Sequence, residues 1–160
     1  MDILDEDLIS FWRELNLNEV EYIMIGGFAA ILHGTTRITQ DVDIWIKDTL
    51  ENRIRLRKSL ANLEVGDYKE LETMQFVPGW TSIYITGGIE LDIYTDLKAY
   101  QQKDFEDCYN NSFIAEIEDV KVRFLHINNL LEEKKTVARP KDLQDLEELQ
   151  KIIAIKKEME

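Results

Sequence analysis

The chain has 160 residues, of which 44% are hydrophobic and 32% charged, with only 7 Gly and 2 Pro. This composition predicts one compact folded domain and excludes collagen-like, low-complexity and wholly disordered proteins. The 19 Lys and Arg residues against 32 Asp and Glu give a net charge of -13 at pH 7, which disfavours non-specific coating of nucleic acid.

The chain has one cysteine, Cys108. A single cysteine excludes an intrachain disulfide and a cysteine-rich zinc site. We expect Cys108 to be a small apolar core residue of a protein in a reducing compartment. The amino-terminal segment is acidic where a signal peptide needs basic residues, and no apolar run approaches the roughly 18 residues of a membrane-spanning helix. We therefore expect a cytoplasmic protein with no membrane partner.

The amino-terminal part predicts helix, strand, helix and strand in turn. Apolar residues recur at helical spacing over residues 4–15, which predicts an amphipathic helix. A short apolar run at 22–25 ends in Gly26 and Gly27 and leads into a second helix, a pattern typical of a strand, a glycine turn and a helix.

Residues 41–47 alternate polar and apolar side chains. This predicts a strand with Asp41, Asp43 and Trp45 on one face. Trp45 could stack on a base, although packing is the more common role of an aromatic residue on a strand.

A helix follows Asp48 and runs to about residue 64, with Asp48 as the expected N-cap and Glu51 as its capping-box partner. Three of its basic residues could contact RNA, although a solvated helix face explains them equally well. They are Arg53, Arg57 and Lys58.

The remaining pattern predicts two hairpins and closing helices. The pair Gly87-Gly88 between β-rich runs is a hairpin signal, and Pro140 suits the first position of the last helix. The predicted strands span 73–77, 81–86, 89–95, 113–117 and 120–125, and the predicted helices span 101–109, 127–137 and 140–157.

The segment from Gly26 to Asp43 contains the residues that indicate a binding or catalytic site. Asp41 and Asp43 project from the same strand face and can converge on one cation. The amides of a glycine turn at a helix N-terminus suit a phosphate, and Mg²⁺ takes oxygen ligands that it often shares with phosphates. This combination predicts a nucleoside-triphosphate site, although the segment is neither a Walker A loop nor a dinucleotide fingerprint.

Gly-Gly, then 13 residues, then Asp-Val-Asp resembles the nucleotidyltransferase signature of the DNA polymerase β superfamily. The resemblance implies an α+β fold with a mixed β-sheet flanked by helices and with C-terminal helices. It also implies that Gly26 and Gly27 receive the triphosphate and that Asp41 and Asp43 bind two ions, Mg²⁺ or Mn²⁺.

The superfamily has a third metal-binding carboxylate on a later strand. Asp92, within Ile-Glu-Leu-Asp-Ile-Tyr, matches it, and Glu90 on the same strand face is the competing candidate. By the same resemblance, Asp92 would bind only the metal that activates the nucleophile and could accept its proton.

Two stretches, HGTTRITQDVD and NNLLEEKKTVARPKDLQDLEEL, resemble the AbiEii-type (MNT-like) nucleotidyltransferases. Many of these are toxins of bacterial toxin–antitoxin and phage-defence systems. The resemblance covers nearly the whole chain, departs from the family at Ala138, where glycine is common, and implies nucleotide-binding roles for several basic residues. The matching residues are Arg37, Thr39, Lys134, Arg139, Lys141, Asp142 and Asp145.

The basic residues of the carboxyl-terminal stretch have two interpretations. Lys134, Arg139 and Lys141 could close on the β- and γ-phosphates. They could instead form a solvated patch that pairs with neighbouring acids such as Asp142 and Asp145.

The resemblance implies transfer of a nucleoside monophosphate from a triphosphate such as ATP to an acceptor hydroxyl. The acceptor would be RNA, such as tRNA, or a protein, and a cognate antitoxin or toxin is a further expected partner. The alternative is a non-catalytic module that binds nucleotide or a partner. We expect one nucleotidyltransferase domain over 1–160, with a catalytic core at 1–126 and a helical segment at 127–160 that contributes basic residues.

Overall fold

The computed structural model describes residues 2–160. In chain order, its helices and strands are α1 (Glu6–Leu17), β1 (Tyr22–Ile25), α2 (Gly26–His33), β2 (Asp41–Ile46), α3 (Leu50–Asn62), β3 (Trp80–Ile85), β4 (Ile89–Tyr94), α4 (Phe105–Asn111), β5 (Phe113–Ile117), β6 (Val120–Phe124), α5 (Ile127–Val137) and α6 (Pro140–Met159). Short 3-10 turns lie at Lys69–Glu72, Thr86–Gly88 and Gln102–Asp104.

The six strands form one mixed sheet in the order β3-β4-β2-β1-β6-β5. The pairs β2/β4 and β1/β6 are parallel, whereas β1/β2, β3/β4 and β5/β6 are antiparallel. Helices are interspersed with the strands and follow the last one, so the predicted α+β class with a mixed sheet is confirmed.

Alternate side chains of the central strands point into the core, and those between them point to the opposite face of the sheet. Val42 and Ile44 of β2 and Leu91 and Ile93 of β4 are fully buried. Helix α1 contacts α3 and β6, whereas α2 contacts α5 and α6. Within residues 2–160, no helix is both long and apolar enough to cross a bilayer.

Helix α3 begins one residue later than predicted. Its N-cap is Thr49, whose hydroxyl accepts from the Asn52 N–H at 3.1 Å. The expected cap, Asp48, instead accepts from Arg53 Nε at 2.6 Å. Because this ion pair occupies the Asp48 carboxylate, the capping position passes to the next hydroxyl residue.

The predicted solvated basic face of α3 is wrong for Arg53. Its guanidinium is buried, donates to the carbonyls of Leu71 and Met74 at 3.0 and 2.6 Å, and lies 4.5 Å from the centre of the Phe76 ring. These contacts also explain why residues 73–77 are not a strand: the segment turns around the guanidinium instead of pairing with the sheet.

Several single side chains have structural roles. Cys108 is buried, and the fully buried Trp45 donates its indole N–H to the Thr95 carbonyl at 2.8 Å, so it is not available to stack on a base. His33 Nε2 lies 2.7 Å from the Leu125 carbonyl, and His126 caps α5 through its ring nitrogen.

Candidate active site

The parallel pairing of β2 and β4 brings acidic residues together on one face of the sheet. Asp43 lies directly opposite Asp92, and Asp41 lies opposite Glu90. Asp92 is therefore on the same side of the sheet as the Asp-Val-Asp pair. The competing candidate, Glu90, accepts a hydrogen bond from the Ser82 hydroxyl at 2.9 Å on the neighbouring strand.

The carboxyl group of Asp43 has a strongly raised pKa. Burial, followed by the neighbouring charges of Asp92 and Asp41, raises this pKa from 3.8 to about 7. Asp92 Oδ1 is buried and has no hydrogen-bond partner among the described residues. Such a pair of carboxylates has an unmet need for a positively charged or proton-donating ligand.

Carboxylate oxygens are the donors that Mg²⁺ and Mn²⁺ prefer. The Asp43 and Asp92 pair, with its unpartnered oxygen, fits a hard divalent cation in this respect. Within residues 2–160, however, no three His, Cys, Asp or Glu side chains are grouped so that they could hold a metal ion. The register places Asp43 opposite Asp92 and Asp41 opposite Glu90 on the same sheet face, and binding of metal ions by Asp41, Asp43 and Asp92 stays a prediction.

The start of α2 lies against the carboxylate of Asp43. Gly26 has a φ of +69°, and a Cβ atom at this position would collide with Asp43 Oδ2. Glycine is required here for both conformation and space. Ile25, the N-cap residue, makes no side-chain cap in the described chain, so the first-turn N–H groups of α2 can serve an anion.

Arg37 and Thr39 lie beside the next glycine. A Cβ atom on Gly27 would come within 2.8 Å of Thr39 Oγ1 and 3.3 Å of Arg37 Cζ. The Thr39 hydroxyl also donates to the Asp41 carbonyl at 3.4 Å. The Arg-x-Thr segment therefore packs directly on the first turn of α2.

Lys134 is buried between two carboxylates of α6. Its ammonium group donates to Asp142 Oδ1 at 3.2 Å and to Asp145 Oδ2 at 2.7 Å. The same Asp145 oxygen accepts from Arg37 Nη1 at 2.5 Å. The pairing with Asp142 and Asp145 that the second interpretation described is present, but Lys134 is not solvated, because these acids enclose it.

Arg139 extends this network toward solvent. Its Nε donates to Asp142 Oδ2 at 2.7 Å, and its side chain remains 56% exposed. Burial alone would raise the pKa of Asp142, but the Arg139 hydrogen bond and the Lys134 charge outweigh burial and lower it. Asp142 therefore stays ionised, whereas Lys141 projects from α6 as an exposed residue.

A cleft of about 350 Å³ runs from the start of α2 to α5 and the beginning of α6. Predicted phosphate- and metal-binding residues share its walls with two aromatic side chains. The lining includes Gly26, Asp43, Trp80, Tyr94, Lys134 and Arg139. The structure thus gathers four of the predicted site residues around one cleft, with Asp92 next to Asp43, whereas Lys141 does not line it.

Sequence reasoning missed Trp80 and Tyr94. Tyr94 lies two residues after Asp92 and so shares its strand face, and Trp80 is its direct partner across the β3/β4 hairpin. The alternation of side chains along β4 predicts that Tyr94 lies on the same face as Asp92. Trp80 could be assigned to this face only from the register of the hairpin.

Two solved structures share the fold of this chain. A proposed nucleotidyltransferase from Thermotoga maritima superposes with a TM-score of 0.59 at 15% identity, covering 92% of this chain and 90% of that one. An antigenic nucleotidyltransferase-like protein from Paracoccidioides brasiliensis gives 0.56 at 16% identity, covering 92% of this chain and 74% of that one. At such identities the likeness shows a shared fold.

No curated protein is similar enough to count as a match. The model of one protein family, described as a nucleotidyltransferase of unknown function (DUF6036), matches residues 4–157. Because this match covers nearly the whole chain, the chain belongs to this nucleotidyltransferase family.

Proposed function

We propose that the protein is a metal-dependent enzyme that transfers a nucleoside monophosphate from a nucleoside triphosphate to an acceptor hydroxyl. The observation that carries the proposal is the apposition of Asp43 and Asp92 on parallel strands, beside a helix start that requires glycine at position 26. Carboxylates next to free helix amides suit a triphosphate with its divalent cations.

In this proposal, each group of residues has a role that follows from its position. The first-turn amides at Gly26 and Gly27 bind phosphate oxygens. Asp43 and Asp92, assisted by Asp41, would hold the ions, which would supply electrostatic stabilisation of the attacking and leaving oxygens. The acceptor oxygen bonds to the α-phosphorus as the bond to pyrophosphate breaks.

Asp92 takes the proton of the acceptor hydroxyl in this scheme. Its buried, unpartnered oxygen supports that role. Arg139, half-exposed at the edge of the cleft, offsets charge on the departing pyrophosphate. Arg37, Thr39, Lys134 and Lys141 were expected to bind nucleotide directly, but for Arg37 and Lys134 we now propose a positioning role, because buried acids already neutralise them.

The finer assignments belong to the same proposal. The motifs favour an AbiEii-type enzyme of a toxin–antitoxin or defence system in the cytoplasm, acting on tRNA or on a protein. The net charge of -13 favours a protein acceptor over RNA, because a polyanion meets net repulsion.

Label transfer tests the activity. The protein is incubated with Mg²⁺ or Mn²⁺, total tRNA or cell lysate, and each nucleoside triphosphate labelled at either the α- or the γ-phosphate. We expect α-label, and no γ-label, to become acid-precipitable. Asp43→Asn and Asp92→Asn should each lower transfer by about 1000-fold, since a metal's electrostatic contribution amounts to several kcal/mol.

Asp119→Asn is the matched control, because Asp119 lies in the exposed β5–β6 turn and pairs with Arg13. It should retain wild-type transfer. Transfer of γ-label would instead indicate a kinase. Triphosphate binding without pyrophosphate release in any acceptor pool would contradict the enzyme proposal and favour the non-catalytic module.

A further inference from the structure

We propose that Trp80 and Tyr94 form a stacking platform for the base of the donor nucleotide. This inference rests on the proposed function and deepens it, since it assigns the part of the cleft that recognises the aromatic end of the substrate.

The two rings form an ordered surface on the same sheet face as the acidic pair. Trp80 and Tyr94 are direct cross-strand partners in the β3/β4 hairpin. Their ring centres are 5.9 Å apart with an interplanar angle of 24°. Tyr94 backs the indole and thereby limits its rotation, so a ligand ring can stack on Trp80 with little loss of side-chain entropy.

Trp80 differs from the other tryptophans in its exposure. Trp12 and Trp45 are fully buried, whereas Trp80 is 41% exposed and lines the cleft. An exposed large aromatic side chain in a concave site is more informative than an isolated apolar residue on a convex surface. Its free surface can be covered by a flat ligand.

The cleft combines two kinds of lining. The glycine start of α2, Asp43 and the guanidinium of Arg139 share its walls with the aromatic pair. Tyr94 follows Asp92 by two residues, about 7 Å along the strand. A ribose can bridge this separation between an α-phosphate and its base. A ligand with an anionic end and a flat aromatic end therefore complements the cleft.

Tryptophan fluorescence tests the platform directly, because Trp80 is the exposed indole. The intact protein is titrated with ATP, GTP, CTP and UTP, and with inorganic tripolyphosphate as a probe that lacks a base. We expect the nucleotides, purines most strongly, to quench the emission, and tripolyphosphate to bind without quenching. Binding of both probe types is measured in parallel by calorimetry.

Trp80→Leu should weaken nucleotide binding by about ten-fold, equal to about 1.4 kcal/mol, and leave tripolyphosphate affinity unchanged. Trp80→Phe should restore most of the nucleotide affinity, since it retains an aromatic face. Tyr84→Leu is the matched control, because Tyr84 is an exposed aromatic residue of the same strand outside the cleft, and we expect wild-type binding.

Two results would overturn the inference, and they are distinguishable. If Trp80→Leu binds nucleotides as tightly as the wild type, the base does not stack here, while the proposed transferase function stands. If the wild type binds neither nucleotides nor tripolyphosphate in the presence of Mg²⁺, the proposed function fails and the platform fails with it.

Discussion

The carboxylate of Asp43 lies between the start of α2 and the carboxylate of Asp92, and each neighbour constrains it. Gly26 leaves room for it, and Asp92 together with burial raises its pKa to about 7. Selection for stability alone would favour a neutral residue at this buried position. A buried carboxyl group at this position is therefore consistent with the proposed binding of a cation, at some expense to the stability of the free protein.

The pH dependence of stability follows from this pKa. Because the folded value of about 7 exceeds the ordinary 3.8, the folded protein binds the proton more tightly than the unfolded chain does. This contribution is complete below about pH 4 and is lost as pH rises through 7. In EDTA, the melting temperature of the wild type should fall more between pH 5 and pH 8 than that of Asp43→Asn.

At pH 8 in EDTA, Asp43→Asn should be more stable than the wild type by about 1–3 kcal/mol, or several degrees in melting temperature. Calorimetric melting measures both quantities. Asp119→Asn, at an exposed position, should keep the wild-type pH slope. An Asp43→Asn protein whose slope equals that of the wild type would refute the explanation.

At the scale of elements, the alternation of β2 and β4 predicted the acidic face, and both hairpins and the two closing helices could be predicted from glycine, proline and periodicity. What could not be predicted depends on distant partners. Arg53 looks like a surface residue until the carbonyls of Leu71 and Met74 are known to surround it. Lys134 is a similar case, because its two acids belong to the next helix.

The junction between α5 and α6 carries a left-handed residue. Ala138 has a φ of +54° at the C-cap of α5, a conformation that costs a residue with a Cβ roughly 1 kcal/mol. Ala138→Gly should therefore stabilise the protein by up to about 1 kcal/mol, after the entropy that glycine adds to the unfolded chain is subtracted.

Urea unfolding monitored by circular dichroism measures this change. Ala99→Gly is a control for the effect of glycine on the unfolded chain, since Ala99 has no positive φ and should be destabilised by the same substitution. Equal destabilisation at both positions would contradict the account of Ala138.

At the scale of the whole molecule, one buried network joins segments that are far apart in sequence. Lys134 of α5, Asp142 and Asp145 of α6, and Arg37 before β2 share three ion pairs. The network links the carboxyl-terminal helices to the segment that packs on Gly27. The final helices are thus part of the site as well as of the fold.

Removing the central cation should destabilise the molecule strongly. Lys134→Met leaves Asp142 and Asp145 buried with one counter-charge fewer, and breaking a buried pair in this way costs about 3–5 kcal/mol. Chemical denaturation measures the loss, and Lys151→Met, which removes an exposed i,i+4 pair with Glu147, should change stability by less than about 0.5 kcal/mol. Similar small losses in both variants would show that the network is dispensable.

The single oxygen of Asp145 that accepts from both Arg37 and Lys134 has a consequence for how the chain can be divided. A fragment that stops at residue 126 would keep every strand and every carboxylate of the acidic face. It would nevertheless leave the guanidinium of Arg37, beside Gly27, without its ion-pair partner and would remove one wall of the cleft. Chimeras that exchange the last two helices between relatives should therefore work only when the loop before β2 is exchanged with them.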